Sequence, residues 1–235
     1  MEYMITEEPK GEVYKKFIKY ACNKSNILSF NVVIRIAHEK EIEKEFNKLC
    51  VLLEVDKEEV IKNYNNPDFI DNIFYKLKNR KGIIRKWTNP LKGIERKFKK
   101  EEIREIKDRH IKMDIENIIF KNAGKIIFND RMKEIRKKLE EDFIKIESIV
   151  NNSKVMNDYD VYYYKNSNRV ETLLMNQERL YNMIFPNFPE DIRFFKNDYN
   201  WFKTISHEEI ALISIKDLEE YNYLKSIGLK LEKYQ

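Results

Sequence analysis

Apolar positions along this chain recur with two different periods, and the switches between them mark the elements. Between residues 12 and 22, Val13, Phe17, Tyr20 and Ala21 fall every three or four positions, the spacing that gathers side chains on one stripe of an α-helix. Residues 29–36 (SFNVVIRI) change to a period of two, with Phe30, Val32, Ile34 and Ile36 on one face and Val33 on the other, which predicts a strand. From residue 39 the period is helical again, through Ile42, Phe46, Leu49, Cys50 and Leu53. Asp56 is placed to cap a second helix in a capping box with Glu59, and Asn66-Pro67 opens a third, whose apolar set is Phe69 or Ile70, Ile73, Phe74 and Leu77.

A short extended piece is expected over 82–87, followed by a helix start at Thr88-Asn89-Pro90. Leu91, Ile94, Phe98, Ile103, Ile106, His110 and Met113 predict one long helix over 90–120, stopped at Asn122-Ala123-Gly124. Asp130 then caps a helix with the stripe Met132, Ile135, Leu139, Phe143, Ile146 and Val150, so the two form a long helical hairpin. The β signal returns at 160–165, a helix is expected over 171–185, and 186–189 (PNFP) reads as a rigid turn. Three short runs, 192–196, 201–206 and 210–215, read as a meander whose first turn is Asn197-Asp198. Asp217 caps a final helix carrying Leu218, Tyr221, Leu224 and Ile227, ended by Gly228. The expected fold class is α+β: a small antiparallel sheet with flanking helices, built from 1–38 and 155–235 and interrupted by an all-helical insertion over 39–154.

Composition narrows the class. At 235 residues with 42% hydrophobic content the chain can bury a core, and its 13% aromatic content is too high for a disordered polymer despite 36% charge. Cys22 and Cys50 are the only cysteines and form no CxxC pair, which excludes a disulfide framework and a four-cysteine zinc site. No apolar run reaches the length of a signal-peptide core or a membrane span, so a cytoplasmic protein is expected. The heavy use of Lys, Asn, Ile and Tyr points to an AT-rich bacterial genome.

Net charge is +5, but it is unevenly spread. Lys76, Lys78, Arg80, Lys81, Arg85, Lys86, Lys92, Arg96, Lys97, Lys99 and Lys100 face the single acid Glu95, which leaves the rest of the chain net acidic. Such a density of cations is stable when solvated and useful when an anionic partner neutralises it; Trp87, inside the block, could stack on a base or fill an interface pocket. An acidic protein partner is the first expectation for this segment and nucleic acid the alternative.

Catalytic signals are thinner. His207-Glu208-Glu209 interrupts the alternation near the C-terminus, but position 211 is Ala, so the HExxH zinc motif fails and the triplet reads as a corner between strands. Cys22, Cys50, His38 and His207 make a chemically suitable zinc set without ligand spacing, so no metal is expected. Carboxylate pairs such as Glu190-Asp191 are common in so charged a chain, and no GxGxxG or GxxxxGK[ST] loop is present, so no nucleotide or other cofactor is expected.

Residues 189–213, PEDIRFFKNDYNWFKTISHEEIALI, resemble the C-terminal signature PEDxxFFKxxxxWFxTxxHE of a group of uncharacterised bacterial proteins, chiefly from Firmicutes; KYACNKSNILSF, residues 19–30, is similar to how such chains begin. The resemblance implies shared fold elements and no activity, with the helical region as an insertion between the halves of the core. Together these observations lead us to expect a non-catalytic cytosolic interaction protein that binds an acidic macromolecule, with a toxin-neutralising, immunity-type inhibitor as one concrete form because it needs binding surface and no active site. A nucleic-acid binder using 76–100 and an enzyme centred on His207 and Glu208 are the alternatives.

Overall fold

The computed structural model describes residues 1–79, 100–151 and 156–234. It is an α+β protein, as the periodicities predict. Eight strands, β1 (Glu2–Ile5), β2 (Ile27–Arg35), β3 (Phe143–Ile149), β4 (Asp158–Lys165), β5 (Glu190–Lys196), β6 (Tyr199–Ile205), β7 (Ile210–Ser214) and β8 (Leu231–Lys233), form one sheet in the order β3-β4-β2-β5-β6-β7-β1-β8. Every pairing in it is antiparallel. The helices are α1 (Gly11–Lys24), α2 (Glu39–Leu53), α3 (Lys57–Lys62), α4 (Pro67–Asn79), α5 (Lys100–Lys138), α6 (Asn168–Met175) and α7 (Leu218–Ser226).

Two compact units divide the chain: 1–37 with 127–235, and 38–126. In the first, the sheet is covered by α1, α6, α7 and the last turns of α5. Tyr14, Phe17, Ile18 and Ala21 are the buried stripe of α1; Tyr14 and Ile18 take the places expected for Val13 and Tyr20, which are only partly buried. Phe17 meets Phe202 edge-on at 4.9 Å, and the Tyr14 hydroxyl donates to the Leu174 carbonyl of α6 at 2.8 Å. Strand β2 is central and buried from Leu28 to Val33, as expected for a strand covered on both faces. Ile34, expected on its core face, is exposed because a bulge between Val33 and Arg35 turns it outward.

Local chemistry sets the ends of these elements. The tight turn at Asn197-Asp198 has both residues at positive φ (49° and 63°), the geometry whose twist matches a two-residue hairpin. Asp217 caps α7 by accepting from the Glu220 N–H at 2.8 Å, and Ser167 caps α6 by accepting from Arg169 and Val170. The helix expected over 171–185 is therefore shorter, ending at Met175 and followed by a single 3-10 turn at 180–182.

The second unit packs Phe46, Leu49, Cys50 and Leu53 of α2 with Val60 of α3, Ile70, Ile73, Phe74 and Leu77 of α4, and Ile111, Ile115 and Ile119 of α5. Asn66 caps α4 through the Asp68 and Phe69 N–H groups, and Asp56 caps α3 through Glu58 rather than Glu59.

The expected helical hairpin is absent; α5 is one helix of 39 residues. Asn122-Ala123-Gly124 does not stop it: Ala123 and Gly124 are buried and Asn122 donates to the Ile118 carbonyl one turn back at 2.9 Å. Asp130 caps nothing and pairs with Lys133 on the exposed face at 2.8 Å. The buried stripe follows Ile111, Ile115 and Ile119, while Met113 is exposed. After Lys138 the chain leaves the helix, so Phe143, Ile146 and Val150 do not continue the stripe; 143–149 is strand β3. The extended piece over 82–87 and the helix start at 88–90 lie outside the described residues.

Candidate functional site

Most of the predicted basic segment, including Arg80, Lys81, Arg85, Lys86, Trp87, Lys92, Arg96, Lys97 and Lys99, lies outside the described residues. Lys76 is exposed on α4, and Lys78 and Lys100 belong to the backbones of α4 and α5.

His207 sits where the corner reading puts it. Ser206–Glu208 form one 3-10 turn between β6 and β7, closed by Glu209 at φ 54°. His207 is exposed, with its Nε2 3.6 Å from Glu208 Oε1. Beneath it, the Asp191 carboxylate accepts from the Ser206 N–H at 2.9 Å and from the Asn31 side-chain amide at 3.0 Å, tying β2, β5 and the corner together. Glu190 accepts from the Phe185 N–H at 3.2 Å, and burial raises its carboxyl above the ordinary range. Asp191 thus braces the corner, while Glu190 holds the chain just before the 186–189 turn.

The two thiols are protected. Burial pushes Cys22 up to about 12 and raises Cys50, so neither is poised as a thiolate nucleophile at neutral pH. Among the described residues no group of three His, Cys, Asp or Glu side chains is placed to hold a metal ion. Nor, among them, is any helix long and apolar enough to cross a membrane.

The surface with distinctive chemistry lies at the β3 edge of the sheet. Its construction begins at the end of α5, where Arg136, Lys137 and Lys138 occupy the last turn and favour the negative end of the helix dipole. Glu140, Glu141 and Asp142 follow at once as a 3-10 turn. Asp142 is buried and anchored: Arg169 holds it with two hydrogen bonds, 2.8 and 3.0 Å, and the Ser167 hydroxyl donates a third at 2.8 Å. These bonds hold its carboxyl below the usual carboxylate range. The far end of the β3–β4 hairpin is clamped by a bidentate Arg35–Asp158 pair at 2.6 and 3.1 Å, with Arg35 also donating to the Asn151 and Met156 carbonyls.

Between these two anchors all seven residues of β3 are exposed, with Phe143, Ile144, Ile146 and Ile149 between 39% and 46%. A groove of about 380 Å³ runs between α5 and this strand, lined by Arg136, Lys137, Glu140, Phe143, Ile146, Tyr162 and Tyr164. Its floor is aromatic: Phe143 meets Tyr164 edge-on at 5.9 Å, Tyr162 and Tyr164 are stacked, and the Arg136 guanidinium lies 4.8 Å over the Tyr162 ring. The Tyr164 hydroxyl is buried without a hydrogen-bond partner among the described residues, and burial pushes its phenol up to about 12. The groove combines an apolar floor, two exposed cations and one acid.

Sequence reading missed this site because it assigned β3 to a helix. The signal that points to it is the order of charges: three cations and then three acids across 136–142 favour a helix ending at the cations, since acids at a C-terminal turn oppose the dipole. No family model, no curated protein and no solved structure matches this chain.

Proposed function

We propose that the protein is a non-catalytic interaction protein that binds an acidic protein partner, and that the groove beside β3 is where the partner docks. One observation carries this reading: Phe143 and Ile146 are exposed next to Arg136 and Lys137 on the outermost strand of the sheet. Adjacent exposed apolar side chains lower the free energy of a partner that covers them, and two cations against the lone Glu140 select one with negative charge. The cation-rich segment 76–100 has the same preference. An immunity-type inhibitor of an acidic toxin is one form such binding takes.

The test is affinity capture from the native host at low salt, followed by reconstitution from two purified proteins. Arg136→Glu with Lys137→Glu, and separately Phe143→Ser, are expected to weaken the reconstituted complex at least about tenfold, about 1.4 kcal/mol. A purified partner that binds both variants as tightly as the parent overturns the groove. Titration of duplex DNA and single-stranded RNA at two salt concentrations addresses the alternative: tight binding with a steep salt slope moves the function to nucleic acid.

A further inference from the structure

The sheet has two edges, and they are built differently. At one end β8 is three residues long and two of them, Glu232 and Lys233, are charged, which is how a sheet protects an edge from pairing. At the other, β3 is seven residues long, contains neither Pro nor Gly, is exposed throughout, and has no strand on its outer side among the described residues. Its outward N–H and C=O groups form a template for another strand.

The side chains indicate which strand. Lys145 and Glu147 flank Ile146 symmetrically. If a second copy of β3 pairs antiparallel with Ile146 opposite Ile146, each Lys145 stands directly across from the other copy's Glu147. Centring the pair on residue 145 sets lysine against lysine, and centring it on 147 sets glutamate against glutamate. Opposite charges in directly facing positions stabilise an antiparallel pair and like charges oppose it, so the sequence selects the Ile146 register. In the single chain Lys145 and Glu147 already pair with each other, and the Tyr163 hydroxyl donates to Glu147 at 2.8 Å, which keeps both side chains on one face of the strand.

We propose that two copies of this chain join through β3 as an antiparallel, two-fold pair, fusing two eight-stranded sheets into one. The axis of such a pair is perpendicular to the sheet, so the grooves of the two copies open on the same side and meet across the Ile146 pair. The proposal uses the outer backbone of β3 and the face carrying Lys145 and Glu147. By strand alternation that face is opposite to the one bearing Ile146, so the proposal stands independently of partner docking in the groove.

The test is sedimentation of the full chain across its soluble concentration range, with four samples compared. The parent is expected to show a monomer–dimer equilibrium. Lys145→Glu and Glu147→Lys, each of which faces like charges across the pair, are expected to self-associate about tenfold more weakly. An equimolar mixture of these two variants restores complementary charges at both positions and is expected to associate as the parent does, as is the double variant carrying both changes. Both side chains are exposed, so the variants should fold, and circular dichroism verifies it. A parent that is monomeric throughout overturns the proposal, as does association untouched by either reversal or a mixture no tighter than its components. Because neither reversal lies on the groove face, partner binding by these variants separates the failure of one proposal from the failure of the other.

Discussion

Phe202 and Tyr164 show how differently two buried aromatic rings bear on stability. Phe202 is fully buried, packed on Phe17 and Phe194, and has no polar atom to satisfy. Phe202→Ala should cost about 3–5 kcal/mol in chemical denaturation, the range for an aromatic cavity in a closed core. Tyr164 is as deeply buried but its hydroxyl has no partner among the described residues, so Tyr164→Phe removes a polar group left unpaired among them. That variant should be neutral or up to about 1 kcal/mol more stable; a loss of more than that shows the hydroxyl has a partner. Asp142 gives the pH dependence. Its folded-state pKa is depressed by Arg169, so its contribution is complete above the ordinary carboxylate value of about 4 and is lost as pH falls through the depressed one. Because Arg169 is half exposed, Asp142→Asn should cost only about 1 kcal/mol at pH 7. The gap between parent and variant should narrow as the pH falls below about 4, and a gap unchanged on acidification contradicts the assignment.

Among the elements, the end of α7 is the most sharply constrained. Gly228 has φ +104°, and a Cβ placed there would lie 2.9 Å from Val13 Cγ2 of α1. Gly228→Ala should therefore destabilise by about 1–3 kcal/mol from backbone strain and crowding together. Adding Val13→Ala should recover only the crowding part, so a double variant no better than the single assigns the whole cost to the backbone. Elements with strong local chemistry were legible in the sequence: the β5–β6–β7 meander, the caps at Asn66 and Asp217, and the α2 stripe all lie where the pattern puts them. What could not be read depended on competition between patterns. Leu139, Phe143, Ile146 and Val150 satisfy helical spacing, yet Ile144, Ile146 and the charges at 140–142 favour an extended chain, and the Asp142–Arg169 anchor, distant in sequence, decides the outcome. Asn122-Gly124 carries the residues of a helix stop, but burying Ile115, Ile119 and Ala123 outweighs them. Strands β1 and β8, four and three residues long, are too short to display any period. The groove was hidden for the same reason as β3, since Tyr162 and Tyr164 were visible as strand residues but their neighbour was not.

On the scale of the whole molecule, β1 is the piece on which the far end of the sheet depends. It lies between β7 and β8, pairing Tyr3 with Ile213 on one side and with Lys233 on the other. A chain lacking residues 1–6 should lose amide protection at 210–214 and 231–233 in hydrogen exchange, while β2 and β4 keep theirs. Uniform loss across the sheet would show that the strands form a single cooperative block.

That same placement bears on how the protein is made. Strand β1 finds both of its neighbours only among residues more than 200 positions further along the chain, whereas 38–126 has its internal contacts within a much shorter stretch. During synthesis β1 therefore stays unmatched until 210–214 and 231–233 have emerged, and maturation of this end of the sheet waits on them.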